Sequence, residues 1–392
     1  MIKNMEIILF IFSLLTLILW IFALVWTSWT LSIQKPLEPT NSSPKRSGKI
    51  SIIVPARNEA NRVLSKSISS MLLQDYEDFE VVVIDDRSTD ATGEILAEIA
   101  RDNPKLKLIK GRETEVGWLG KPFAFQQGFQ QASGEWILAT DADIIFAKNA
   151  LKTAVAFAIE KELDALTLIP KINHGSFWEI LFMPIFGWFC FLAMPPNRVN
   201  DPQRKEAMGV GNFFLFRRSV LESLDGFTLV RNEVAEDLRM AEILKKRGYR
   251  FRIEYAPNLI ETRMYSSLKE IWEGFTKNLF SGLRFSVHRA ILGSFAIFFL
   301  GVLPIFLALI FWFMSYKTLA YMFFLVYAMQ VLTFVVIHLR WKGNPLYALF
   351  TPIGVLLFMM ILLNSTVKIV TGKGVTWKGR KIYEAGGVEP PR

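Results

Sequence analysis

Val81-Val82-Val83-Ile84-Asp85-Asp86 and Trp136-Ile137-Leu138-Ala139-Thr140-Asp141-Ala142-Asp143 share one pattern: a short apolar run that ends in carboxylates. Such runs read as strands buried on both faces, the signature of a parallel sheet. Their acidic residues fall just past the strand ends, the edge where open α/β sheets hold ligands. Residues two apart on an extended chain point the same way, so Asp141 and Asp143 can address one cation. Oxygen ligands favour Mg2+ or Mn2+, which meet a protein through one or two carboxylates while holding a substrate's phosphates. A third acidic pair, Glu236-Asp237, opens a later helical pattern.

Outward from these runs the chain alternates. Strands are expected at Ile50–Val54, Glu80–Ile84, Leu106–Ile109, Trp136–Ala139 and Ala165–Ile169. Helices are expected between them at Ala60–Leu73, Thr92–Ala100, Pro122–Ala132 and Asn149–Glu160. Short connections between such elements argue for an α/β domain with a mostly parallel sheet. Phe177 to Pro196, uncharged except for Glu179, interrupts the alternation and reads as a buried or interfacial helix. The pattern resumes with a strand at Phe213–Phe216, a helix at Asp237–Arg247 and a strand at Phe251–Ile253.

The 392 residues are 52% apolar and 14% aromatic, figures that mix a water-soluble part with membrane-spanning material. Ile7 to Gln34 carries no charge, and roughly 20 apolar residues suffice to span a bilayer core. It is too long for a cleaved signal sequence and has no small-residue cleavage site behind it, so an uncleaved anchor is expected. Lys35, Lys45, Arg46 and Lys49 follow it, against Lys3 before it, which places the next segment in the cytoplasm. Further uncharged runs occupy Ile291–Tyr316, Thr318–Ile337 and Gly343–Val367. Three crossings there would put the basic tail outside, against the positive-inside tendency, and this conflict stays open in the sequence. Ser267-Leu268-Lys269-Glu270 is a capping box, and the helix it starts repeats apolar residues on one face between basic ones, as interfacial helices do. The net charge of +9 resides largely beside apolar runs, where it suits headgroups, so no nucleic-acid partner is expected. Cys190 is the sole cysteine, which excludes intrachain disulfides and thiolate clusters, and three histidines argue against a histidine-rich zinc site.

Taken singly, each polar motif has a bland reading. Pro55-Ala56-Arg57-Asn58-Glu59 can cap a helix, or Asn58 and Glu59 can bind a base or ribose. Asp85-Asp86-Arg87-Ser88-Thr89-Asp90 is good turn material. Lys121, in Gly120-Lys121-Pro122, is a solvated lysine or a positive charge against an anionic donor. Glu236-Asp237 complements a helix dipole, or supplies a base that takes a proton from an acceptor hydroxyl. A cation at Asp141 and Asp143 would stabilise charge developing on a departing nucleoside diphosphate. Their succession on neighbouring strand ends favours the functional readings.

In that order, the motifs resemble the family 2 glycosyltransferases with the GT-A fold, over about Ile50 to Phe285. The resemblance implies a nucleotide-sugar donor, usually a UDP-sugar. By position it makes Pro55, Asn58, Glu59 and Asp86 nucleotide-binding, Asp141 and Asp143 the metal and diphosphate motif, and Asp237 the catalytic base. One anchor before the domain and several spans after it look like membrane enzymes that glycosylate carotenoid, hopanoid or ceramide-type lipids. The tail Val375-Thr376-Trp377-Lys378-Gly379-Arg380 is similar to that of the carotenoid and hopanoid group. One departure is plain: Gly274-Phe275-Thr276-Lys277-Asn278-Leu279-Phe280 stands where processive polysaccharide synthases carry a Q-x-x-R-W motif, which argues against polymer synthesis.

The expected organisation is an N-terminal transmembrane anchor (1–34), a linker (35–48), a cytoplasmic GT-A domain (49–265) and an interfacial amphipathic helix region (266–290). A C-terminal transmembrane region of two to three spans (291–367) and a basic tail (368–392) complete it. The expected function is a non-processive, inverting transfer of one sugar to a membrane lipid with Mg2+ or Mn2+. The site would comprise Asp237 and Glu236 (catalytic), Pro55, Asn58, Glu59, Asp86, Lys121 and Asp141 (donor), and Asp141 and Asp143 (metal). The rivals are a small processive polysaccharide synthase and a catalytically silent scaffold.

Overall fold

The computed structural model describes residues 2–40 and 48–391. Lys45, Arg46 and the rest of 41–47, within the expected linker, lie outside the described residues, as does the Lys3 side chain. The chain forms two units. One comprises Lys35–Asn173, Pro196–Met264 and Gly372–Arg392; the other comprises Met1–Gln34, His174–Pro195 and Tyr265–Thr371.

In the first unit the apolar runs do form strands: β1 (Ile50–Ala56), β2 (Phe79–Asp85), β3 (Leu106–Lys110), β4 (Trp136–Ala139), β5 (Ile144–Phe146), β6 (Ala165–Ile169), β7 (Lys171–Ile172), β8 (Phe214–Arg217), β9 (Phe251–Tyr255), β10 (Ile260–Thr262), β11 (Lys373–Trp377) and β12 (Arg380–Glu384). Seven build the main sheet in the order β3-β2-β1-β4-β8-β6-β9. β1, β2, β3 and β4 run parallel, as do β6 and β9, whereas β8 is antiparallel to both its neighbours. Both faces are covered, which is why the strands read as continuous rather than alternating apolar sequence. On one face Ile52, Val54, Val81 and Val83 share a core with Leu64, Ile68 and Met71 from the helix Leu64–Leu72 and with Leu151, Ala154 and Val155 from the helix Ala150–Glu160. Each such fully buried aliphatic side chain contributes roughly 1.5–3 kcal/mol.

The reversed strand positions the site. Ala139, the last residue of β4, pairs with Phe214, the first of β8, so the segment entering β8 arrives where β1, β2 and β4 end. A small second sheet, β5-β10-β7, sits beyond β4 and continues directly from the acidic motif. Asp141-Ala142-Asp143 is therefore a turn between β4 and β5 rather than extended chain. Ala142 is buried while Asp141 and Asp143 are partly exposed, so the alternation expected of an extended segment is kept by a turn.

The second unit is helical, with Ile2–Ile33, Phe177–Ala193, Leu268–Gly282, Val287–Ile297, Leu303–Phe313, Lys317–Arg340 and Thr351–Val370. Ser267 caps Leu268–Gly282 as its sequence predicts, its hydroxyl accepting from the Glu270 N–H at 3.2 Å. Pro304 lacks the N–H that would serve the Leu300 carbonyl, and a π-turn at Phe298–Val302 loosens the helix before it. The released carbonyls are met from other helices: Trp20 Nε1 donates to Leu300 O and Gln330 Nε2 to Gly301 O, both at 2.9 Å. Apolar surroundings offer no water for that purpose, so side-chain donors must do it. Trp20 also stacks on Trp188 with ring centres 5.5 Å apart.

Five segments are long and apolar enough to cross a membrane: Asn4–Ile33, Phe177–Val199, Val287–Phe313, Lys317–Arg340 and Pro345–Val370. Sheet pairing restricts which of them do so singly. β6 precedes Phe177–Val199 and β8 follows it, yet the two strands are hydrogen-bonded neighbours. A single crossing would put them on opposite sides of a bilayer, so the chain must return to the side it left. Likewise, residues before Tyr265 and after Thr371 belong to one unit, so the intervening helices cross an even number of times. That removes the tail conflict without an exception to charge bias. In a Cys190→Ser background, cysteines at exposed Asp102 and Ala385 are both expected to react with an impermeant maleimide from the same side of sealed vesicles; labelling from opposite sides would contradict the fold.

Candidate active site

The loops after β1 and β2 are tied together before they bind anything. Asn58 adopts a positive φ of 51°, and its Oδ1 accepts the Thr89 N–H at 2.9 Å. Asp90 Oδ1 accepts the Thr92 N–H at 3.0 Å and its Oδ2 the Ala60 N–H at 3.2 Å. The Glu59 N–H donates to Thr92 Oγ1 at 2.8 Å. Asn58 and Asp90 thus use side-chain oxygens to shape the loops, and Pro55 is the penultimate residue of β1, paired with Ile84 of β2. Glu59 and Asp86 are each only 4% exposed.

The end of β4 carries the second group. Lys121 Nζ lies 2.6 Å from Asp141 Oδ1 and 2.8 Å from Glu236 Oε1. Burial would lower this amine, but Asp141, Glu236 and Asp237 outweigh it and hold it well above the ordinary lysine range. Burial raises the Glu236 carboxyl, against the pull of Lys121. Burial and then the Asp141 charge push Asp143 up to about 6, although Arg62 opposes them from 3.4 Å. A carboxylate pair held under that mutual repulsion suits a divalent cation. Among the described residues no group of three or more His, Cys, Asp or Glu side chains could hold a metal by itself. Asp141 and Asp143 therefore fit an ion that takes its remaining ligands from phosphates and water.

Asp237 sits in the first turn of the helix Glu236–Lys246. Its Oδ2 accepts the Gly211 N–H at 2.7 Å and its Oδ1 the Leu238 N–H at 2.8 Å. A Cβ at Gly211 would lie 3.2 Å from both Asp237 Oδ2 and Lys121 Nζ, so any larger residue there would press on the two groups. Neighbouring Asn212 donates from Nδ2 to Asp141 Oδ2 at 3.5 Å. The structure thus brings Lys121, Asp141, Glu236 and Asp237 around one point, with Asp143 beside them, and Glu59 and Asp86 on the adjoining loops.

Sequence reasoning missed Gly211, Asn212 and Arg62, which become significant only through the antiparallel course of β8 and the loop after β1. It also missed the tail. β11 and β12 form a hairpin whose Lys378 pairs with Glu59 and whose Arg380 forks onto Asp86 at 2.6 and 3.1 Å. Tyr383 is buried, donates to Asn232 O at 2.7 Å and accepts the Val234 N–H at 3.2 Å.

Residues 51–225 match the model of glycosyl transferase family 2. The chain carries a family 2 glycosyltransferase domain. This domain is 29% identical over 238 residues to the beta-monoglucosyldiacylglycerol synthase of Nostoc sp., covering 58% of this chain and 45% of that protein. It is 25% identical over 236 residues to the 4,4'-diaponeurosporenoate glycosyltransferase of Staphylococcus aureus, covering 59% of this chain and 61% of the other. The chain thus spans about half the length of these curated relatives. Among solved structures, the mannosyltransferase PcManGT from Pyrobaculum calidifontis, in complex with GDP-Man and Mn2+, superposes with a TM-score of 0.55 at 20% identity. That match covers 92% of this chain and 98% of the other, and it shows a GT-A-like fold.

Proposed function

We propose that this protein transfers one sugar from a nucleoside diphosphate sugar, a UDP-sugar, to a hydroxyl or carboxylate of a membrane lipid, with inversion at the anomeric carbon. The observation that carries this reading is Asp237. Two backbone N–H groups fix its carboxylate in the cleft that also holds Lys121 and Asp141. Partly exposed, it can reach an acceptor oxygen within about 3 Å, as a general base must. From a hydroxyl acceptor it takes the proton as that oxygen bonds to the anomeric carbon and the bond to the diphosphate breaks; a carboxylate acceptor attacks as the anion and needs no proton removed. A single displacement with one base inverts the centre. Glu59 and Asp86 would receive the nucleoside, and Lys121 would meet negative charge growing on the diphosphate.

Asp141 and Asp143 would hold Mg2+ or Mn2+, which when bound supplies Lewis-acid stabilisation to the leaving group. Lipid acceptors are supported by the apolar helices and by the glucosyldiacylglycerol and diaponeurosporenoate named for the two relatives. The proposed setting is the cytoplasmic leaflet of the cell membrane. The test compares lipid extracts by mass spectrometry from wild type, a gene deletion, and the deletion complemented with wild type or Asp237→Asn. A glycolipid lost on deletion and restored only by wild type is the expected result. Purified full-length protein that releases no UDP from any UDP-sugar, with lipid extract and Mn2+ present, would overturn it.

A further inference from the structure

The C-terminal hairpin ends in a two-residue turn, Lys378-Gly379, with φ of 45° and 77°. Both positive values mark the mirror-image turn type that hairpins prefer, in which Asn-Gly is the usual sequence. A lysine in that first position is poorly suited to the turn, so its charge needs another explanation. Lys378 pairs with Glu59 and lies in the field of Asp143; Arg380 forks onto Asp86. Arg380 also presses on Gly120, the residue before Lys121, so closely that a Cβ there would collide with its guanidinium. Arg57, lowered by burial and by the neighbouring Arg380, crowds the same spot and donates from Nε to Lys378 O at 3.4 Å. The tip therefore concentrates cations between the proposed nucleoside carboxylates, Glu59 and Asp86, and the proposed phosphate groups, Asp143 and Lys121. In a nucleoside diphosphate sugar, the part lying between the nucleoside and the transferred sugar is the diphosphate.

We propose that Lys378 and Arg380 are donor-binding residues: the carboxylates Glu59 and Asp86 hold the hairpin tip in place when the site is empty, and an arriving nucleoside diphosphate takes those carboxylates for its base and ribose while its diphosphate takes the two cations. This rests on the nucleotide-sugar reading above and adds a part of the site contributed from 319 and 294 residues away. In the exchange each cation trades a carboxylate for diphosphate oxygens, and each carboxylate trades its ion pair for hydrogen bonds to the neutral base and ribose.

The test is calorimetric binding of UDP and of uridine, with Mn2+, to the full-length protein in nanodiscs, for wild type, Lys378→Gln, Arg380→Gln and the charge-preserving Lys378→Arg. Each glutamine variant is expected to bind UDP about tenfold or more weakly, as befits a lost charged hydrogen bond. Uridine should bind them as well as wild type or better, and Lys378→Arg should stay near wild type for UDP. UDP and uridine weakening together would reduce the hairpin to a structural brace, and UDP binding unchanged or tightened would make it only a plug; either result overturns the proposal. Wild type that binds UDP while the variants match it sinks this inference alone, whereas wild type that binds neither ligand takes the proposed function with it.

Discussion

Asp237→Asn is expected to lower the rate of sugar transfer by about 10²–10⁴-fold while leaving UDP affinity close to wild type and costing about 1–3 kcal/mol of stability for the one hydrogen bond lost. Asparagine keeps the shape but only one of the two oxygens, so it retains either the Gly211 or the Leu238 N–H bond, 2.7 and 2.8 Å in wild type, and turns its NH2 toward the other N–H. What disappears is the capacity to accept a proton. Removing one charge also relieves repulsion with Glu236, which offsets the lost dipole interaction of roughly 0.3–1 kcal/mol. Stopped-flow turnover and UDP calorimetry on the same preparation separate the outcomes. A parallel loss of UDP affinity would mean that Asp237 binds donor rather than activates acceptor, and near-normal turnover would remove it from the chemistry.

How much of this arrangement the chain announces depends on the range of the interactions. Trp136–Ala139 and Ala165–Ile169 are strands in both sequence and structure because continuous burial leaves its mark on every residue. Phe213-Phe214-Leu215-Phe216 is equally apolar whichever way it runs, so nothing local reveals that β8 is antiparallel. That reversal is what delivers the Gly211 N–H to Asp237. β5, β7 and β10 span two or three residues each and exist through pairing, with no pattern long enough to read. The hairpin of β11 and β12 was hidden differently. Lys373, Lys378, Arg380 and Lys381 give its sequence the look of a membrane-flanking basic tail, while its anchors are Tyr383 against Asn232 and two ion pairs to loops near the start of the chain. Phe177–Ala193 shows the opposite case: its composition permits a membrane crossing, and only the pairing of β6 with β8 denies it a single one.

Lys121→Met should reduce transfer by about 10²-fold or more, comparable to removing one preorganised donor from a site of developing negative charge. It should also lower stability, by an amount that depends on pH. Methionine preserves the length of the side chain but leaves Asp141, Glu236 and Asp237 facing one another without their shared cation. Breaking a fully buried pair costs about 3–5 kcal/mol, but the Lys121 side chain is 36% exposed, and solvent screening reduces the expectation to about 1–2 kcal/mol. Burial already raises the Glu236 carboxyl, and Lys121 is what pulls it back. Without the lysine the folded state takes up a proton at a higher pH than the unfolded chain does. The deficit relative to wild type is therefore largest above the raised Glu236 value and shrinks as pH falls through it toward the ordinary glutamate range. Thermal denaturation of both proteins across that range measures the difference directly. A deficit that stayed constant with pH would assign the loss to packing, and a variant with normal stability and normal turnover would show that Lys121 neutralises nothing the site depends on.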